Sequence, residues 1–492
     1  MDEDQALQLG LFSGKARKGD LIVIGALEGE PPNLDGLPGE VAAAAVRWPR
    51  GSGSADLLVD LGLTTSGAAI AGRELGKRDA LDSRKVAQFA RAAVEAAVER
   101  RSRRLILAPP AHQLTSRDEG RELSLIAAAA ATYRYGKYLE AKDEARLRWI
   151  GLARSGDRAT LDVSVAAARA VASGARIARD LANTPPNIAT PAWMAGEVRS
   201  LARRFGGQVV VLGPRELERR RMGGLLAVGS GSKNPPRLVR WRLGSRGSKI
   251  GLVGKGVTFD TGGISIKPAA AMHEMKYDKC GACAVIGTMV AAAQLGVAAR
   301  LEAYLPLAEN MPDAAAYRPG DIVRCADGTT VEITNTDAEG RMILADTLVW
   351  AAQAKPQHLV ELSTLTGATV VALGTVGAAL YTPDDELART LLGAAERSHE
   401  RLWRMPMWPE FVEEMKGNHA DWKNAGERAG GANAAAAFLG HFARGAASWA
   451  HLDIAGTAYS AKPVSRAQSG ATGYGVALLT RWLRDRARPV ES

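Results

Sequence analysis

GLVGKGVTFDTGGISIKPAAAMHEMKYD, residues Gly251 to Asp278, mixes two kinds of residue that rarely share one segment. Apolar, strand-forming Leu252, Val253, Val257 and Phe259 frame the ionisable Lys255, Asp260, Lys267 and Asp278. A second stretch, NTDAEGRMILADTL from Asn335 to Leu348, adds Asp337, Glu339 and Arg341. A solvated charged face is not framed this way. Carboxylates at the ends of buried strands need a compensating charge, and a metal ion is a common source of it. The two stretches therefore read as one metal-centred active site. Asp337, Glu339 and Arg341 are spaced by two, so an extended segment would project all three to one side. Four carboxylates on two segments can hold two divalent ions about 3.5–4 Å apart. The competing reading is a buried salt-bridge network of the same carboxylates with Lys255, Lys267 and Arg341.

Outward from this pair the chain reads as α/β, with strands and helices alternating. Short apolar runs at Leu21–Gly25, Asp56–Asp60, Arg104–Ala108 and Leu147–Leu152 predict buried strands of a first domain, and Gly51–Ser54 a surface turn. Helices are expected at Asp82–Arg101 and Glu122–Leu139, and an alanine-rich one at Thr160–Asn183 that stops at the Asn-Thr-Pro-Pro run. The expected organisation is a smaller N-terminal α/β domain over residues 1–165, then a connecting helix and linker over 166–190. A larger C-terminal catalytic domain over 191–492 follows, with a mixed central sheet flanked by helices. In that domain Met342–Ala354 is predicted helical and Val370–Tyr381 a strand or two. Catalytic loops belong at the carboxyl ends of such strands.

At 492 residues the chain is long enough for two or three cores, and 46% hydrophobic with 24% charged residues is ordinary for a globular enzyme. The acidic MDEDQALQLG start does not read as a signal peptide, and no run approaches the length of a membrane helix, so no membrane association is expected. Three cysteines suit a reducing compartment and a cytoplasmic location. The net charge of +10 and the Arg100–Arg104 and Arg219–Arg221 patches raise the alternative of a DNA-binding regulatory protein. No aromatic residues interleave those patches, so nucleic acid is not the expected partner.

Other chemistries find less support. Gly254-Lys255-Gly256 lacks the P-loop spacing. None of the seven histidines forms H-E-x-x-H, His273 included, and there is no G-x-S-x-G. Cys280 and Cys283 form a C-x-x-C in a run of small residues, which reads as close helix packing.

GKGVTFDTGGISIKP, MKYD and NTDAEGR together closely resemble the leucyl aminopeptidase (cytosol aminopeptidase) family of di-metal peptidases. The resemblance extends more loosely from the Asn-Thr-Pro-Pro run at 183 to HLDIAG at 451. It implies two Zn²⁺ or Mn²⁺ ions per subunit. Lys255, Asp260, Asp278 and Glu339 would hold the tighter ion, and Asp260, Asp337 and Glu339 the more exchangeable one. It implies hydrolysis of an N-terminal peptide bond by a metal-bridging hydroxide, with Lys267 stabilising the tetrahedral intermediate and Arg341 holding a bicarbonate that shuttles the proton. Met275, Thr364, Leu365 and Gly367 match positions lining the bicarbonate and first side-chain pocket, so leucine and other apolar residues are the expected preference. Peptides with a free N-terminus would be the substrates, and a homohexamer the assembly. Three departures stand out: Thr261 where serine is usual, Lys279 where methionine is common, and GGANAAAAFL at 430–439 without the usual Ile-Thr.

Overall fold

A computed structural model of the chain describes residues 7–48, 58–110, 117–140, 147–154, 156–462 and 469–487. The predicted Gly51–Ser54 turn and the start of the predicted Asp56–Asp60 strand lie outside these. The chain forms two compact units. The first comprises residues up to Ala172 with Arg397–His399 and Lys462–Ser469, and the second holds the rest. The change of unit falls inside one long helix, Arg158–Asn183.

In the first unit six described strands form one sheet in the order Gln8–Leu11, Trp149–Leu152, Arg104–Ala108, Asp20–Ala26, Ala69–Glu74, Val59–Leu63. All neighbours are parallel except the last pair. The central Asp20–Ala26 strand is buried along its whole length, as a parallel strand covered on both faces must be. The predicted Glu122–Leu139 helix runs instead over Arg117–Ala131.

The second unit is built on a nine-stranded mixed sheet. Its middle runs Trp449–Asp453, His358–Ser363, Lys249–Gly254, Arg300–Asn310, all parallel, and Gly256–Asp260 pairs parallel with the end of Arg300–Asn310. The buried helices Cys280–Leu295 and Glu339–Gln353 belong to two separate apolar clusters. The small residues of the first helix allow that close burial; Cys280 and Cys283 are buried within it, and burial pushes the Cys283 thiol up to about 12.

Two elements differ from expectation. The predicted Val370–Tyr381 strands resolve into a helix, Gly367–Leu373, and a strand, Ala378–Tyr381. The Thr366 side chain accepts the Thr369 amide and starts the helix, while β-branched Val371 simply faces outward at 87% exposure. The helix predicted from Met342 begins at Glu339. Among the described residues, no helix is long and apolar enough to cross a membrane.

Candidate metal centre

The second unit's parallel strands end together, and the ionisable residues follow those ends. Asp260 is the last residue of Gly256–Asp260, Lys255 follows Lys249–Gly254, and Thr364 follows His358–Ser363. Asp278 directly follows the short helical turn Met272–Tyr277, while Asp337 sits two residues before Glu339 opens its helix. Glu339 and Arg341 are therefore in a first helical turn, and the extended geometry expected from their spacing does not form. A carboxylate is favoured in that turn by the helix dipole. Gly340 is required there, because a side chain would put its Cβ 2.7 Å from Lys255 Nζ.

Asp260, Asp337 and Glu339 each offer an oxygen, all within 4.8 Å of one another. Lys255 Nζ lies 2.8 Å from Asp278 Oδ1 and 2.8 Å from Glu339 Oε1, and donates to the Thr364 carbonyl at 3.0 Å. Lys267 Nζ lies 2.9 Å from Asp260 Oδ2 and also pairs with Asp337. Thr364 Oγ1 donates to Asp278 Oδ1 at 2.6 Å. Asp278 thus joins the three-carboxylate cluster through Lys255. Arg341 donates from Nη1 to the Asn424 carbonyl at 2.7 Å. Met275 is half-buried on the turn leading into Asp278, Leu365 packs against the second apolar cluster, and Gly367 is exposed.

The electrostatics show too little positive charge. Burial raises the carboxyls of Asp278 and Asp337, and burial with repulsion from Glu339 pushes Asp260 up to about 6. Burial opposes the Lys255 ammonium, but Asp278, Glu339 and Asp260 outweigh it and hold its pKa above the usual lysine range. Glu339 is lowered despite burial, because both lysines favour its charge. Burial brings Arg341 down to about 10. Asp278 Oδ2 and Arg341 Nε are buried without a hydrogen-bond partner. Clustered oxygens, an orphaned carboxylate oxygen and surplus negative charge fit hard divalent cations.

Several supporting residues carry no signal of their role in the sequence. Asn310 donates to Asp260 Oδ1 at 2.8 Å and to the Thr336 carbonyl at 3.1 Å, tying the two acidic segments together. Tyr317 donates to the same carbonyl, and Thr336 Oγ1 donates to the Gly262 carbonyl. Gly262 has φ +86° and donates its own amide to Asp260 Oδ1 at 2.9 Å. Asn424 accepts the Thr334 and Asn335 amides and, as above, orients Arg341. Asn310 was detectable as an amide ending an apolar run, although its partners were not. His273 is exposed. Lys279 is fully buried and donates to the carbonyls of Thr184 and Lys276.

Acidic oxygens and ammonium groups gathered near the carboxyl ends of a mixed α/β sheet suit an enzyme built around divalent cations. The family model described as the catalytic domain of the cytosol aminopeptidase family matches residues 176–480. A probable cytosol aminopeptidase of Ralstonia pickettii is 38% identical over 98% of this chain and 99% of its own length. Another, of Nitrosospira multiformis, is 48% identical over 64% of this chain and 61% of its own length. Among solved structures, the bottromycin maturation enzyme BotP in complex with Mn is 35% identical with a TM-score of 0.84, covering 96% of this chain and all 100% of that one. A tomato leucine aminopeptidase mutant is 31% identical with a TM-score of 0.86, covering 99% and 98%. The chain belongs to the cytosol aminopeptidase family and is a metal-dependent aminopeptidase. Nothing among these relatives supports the nucleic-acid reading of its basic charge.

Proposed function

We propose that the chain releases N-terminal amino acids, leucine and other apolar residues by preference, from peptides with a free N-terminus. The observation that carries this reading is the Asp260–Asp337–Glu339 cluster, in which Asp260 and Glu339 are buried and Asp337 is half-buried, with Lys267 at its edge. Lys255, Asp260, Asp278 and Glu339 would hold one divalent ion, and Asp260, Asp337 and Glu339 the second. When bound, the two cations, Zn²⁺ or Mn²⁺, supply a water of lowered pKa and a Lewis acid for the scissile carbonyl.

The remaining work belongs to the chain's own groups. Lys267, 21% exposed beside the carboxylates, would donate from Nζ to the oxygen that gains charge as the carbonyl becomes tetrahedral. The Asn424 carbonyl orients Arg341 and leaves its Nε donor free, which suits a small oxyanion such as bicarbonate in the role of general base. Thr364, Leu365 and Gly367, with Met275, would form the pocket for the first side chain. A cytoplasmic location and a homohexameric assembly complete the reading.

The test is hydrolysis of leucine p-nitroanilide, with loss of activity on chelation and recovery with Mn²⁺ or Zn²⁺. Activity that survives Asp337→Ala and Lys267→Ala would remove the roles given to those residues.

A further inference from the structure

The loop Thr364–Thr366, between the His358–Ser363 strand and the Gly367–Leu373 helix, is held from both sides. On the site side, Lys255 Nζ donates to the Thr364 carbonyl and Thr364 Oγ1 donates to Asp278. On the other side stands Asp453, the last residue of the neighbouring Trp449–Asp453 strand and the register partner of Ser363. Asp453 is wholly buried. Its Oδ1 accepts the Leu365 amide at 3.1 Å and the Ala455 amide at 3.2 Å. Its Oδ2 accepts the Thr366 hydroxyl at 2.6 Å and the Thr369 hydroxyl at 2.7 Å. Among the described residues it makes no ion pair, and Arg341 is attracted to it only through space. A carboxylate buried this way is costly, and these donors are what offset that cost. They come from the loop, the first turn of its helix and the residues just after Asp453 itself.

We propose that Asp453 is a positioning residue that sets the first side-chain pocket. It holds the Leu365 backbone and the Thr366–Thr369 turn in one place, so discrimination among N-terminal side chains depends on a group that touches no substrate. This inference rests on the aminopeptidase reading. A bland alternative is a helix anchor, since Thr366 also caps the Gly367–Leu373 helix. An anchor alone would change stability and leave selectivity untouched.

Asp453→Asn and Thr366→Val separate the two, with Thr366→Ser as the conservative control. Each protein is assayed with saturating Mn²⁺ on leucine, alanine and phenylalanine p-nitroanilides, alongside its Mn²⁺ content and melting temperature. The expected result is a fall of about tenfold in the leucine-to-alanine ratio of kcat/KM, carried by KM for leucine, with Mn²⁺ content retained. Thr366→Val reproduces it and Thr366→Ser restores the wild-type ratio. Ratios within about twofold of wild type beside a lowered melting temperature overturn the proposal in favour of the anchor. Should Asp453→Asn fail to fold, the Thr366→Val and Thr366→Ser pair decides alone. A wild-type protein that binds Mn²⁺ yet cleaves none of the three substrates sinks the aminopeptidase reading itself. An active enzyme with unmoved selectivity sinks only this inference.

Discussion

Replacing Lys255 with methionine tests the charge balance of the site. The Lys255 ammonium lies 2.8 Å from both Asp278 and Glu339, with a side chain only 3% exposed. At an effective dielectric of about 20, each contact carries roughly 6 kcal/mol of gross attraction. Burying three charges offsets most of that, and deleting one partner of a buried pair leaves a net loss of about 3–5 kcal/mol. Methionine keeps most of the stem's volume, so a cavity adds little. With a urea m-value of about 3 kcal/mol per molar, the midpoint of the metal-free protein falls by about 1–2 M. In the loaded protein Lys255 would serve as a ligand as well, so the variant also binds Mn²⁺ less tightly and gains less stability from it than wild type. The assay is a urea titration followed by tryptophan fluorescence and circular dichroism, after chelation and again with Mn²⁺. A metal-free midpoint within about 0.3 M of wild type would refute the view that this ammonium neutralises the carboxylates. Mn²⁺ that stabilises the variant as much as wild type would refute the place of Lys255 among the ligands.

Lys267→Met lowers kcat on leucine p-nitroanilide by about 10²–10³ with little change in KM, the behaviour of a group that acts on the developing oxyanion; steady-state kinetics checks it. Asn310→Ala weakens Mn²⁺ binding by about 10–100-fold in calorimetric titration, because Asp260 Oδ1 loses one of its two amide donors and keeps only Gly262. Glu400 accepts the Leu478 amide at 2.8 Å, and burial raises its pKa from 4.5 to about 7. Between those values the folded protein holds a proton that the unfolded chain releases, so its stabilising contribution is full below pH 4.5 and lost as the pH rises through 7. Glu400→Gln keeps the acceptor without the charge, so it raises the melting temperature at pH 8 and flattens its decline from pH 5 to 8; parallel melting curves would count against this.

Charge in an apolar setting is what made the site legible. Asp260, Lys255 and Glu339 stand out because nothing in a strand-forming run needs them, and their cost implies a partner. The positioning groups carry no such signal. Asn310 and Asp453 are single polar residues at the ends of apolar strands, and their meaning depends on which strand lies alongside. Asp453 opposes Ser363, and Asn310 opposes Asp260, only through parallel pairings of segments far apart in the chain. The start of the Glu339 helix was hidden for a different reason. Gly340 reads as a helix breaker, whereas in the fold it makes room for the Lys255 side chain. The Val370–Val371 pair works in the opposite sense, since β-branching favours strands while a threonine cap and an outward face favour a helix.

A salt-bridge network and a metal centre can share residues, but they differ in charge balance. Asp260, Asp278, Asp337 and Glu339 converge on two ammonium groups, Lys255 and Lys267, while Arg341 is directed to the Asn424 carbonyl. A network selected for its own stability would not keep surplus carboxylates in a largely buried cluster, where they raise one another's pKa values. Asp337→Asn therefore separates the two readings. If the carboxylates exist to bind cations, neutralising Asp337 relieves repulsion with Asp260 and Glu339, and Lys267 keeps Asp260 as its partner. The metal-free protein should then be as stable as wild type or more so, while Mn²⁺ uptake falls by at least tenfold. If the residues form a self-sufficient network, the same change removes an ion-pair partner, so the metal-free protein loses stability and Mn²⁺ uptake does not respond. Urea midpoints and Mn²⁺ titrations on one pair of proteins read both quantities, and the two accounts predict a different outcome for each.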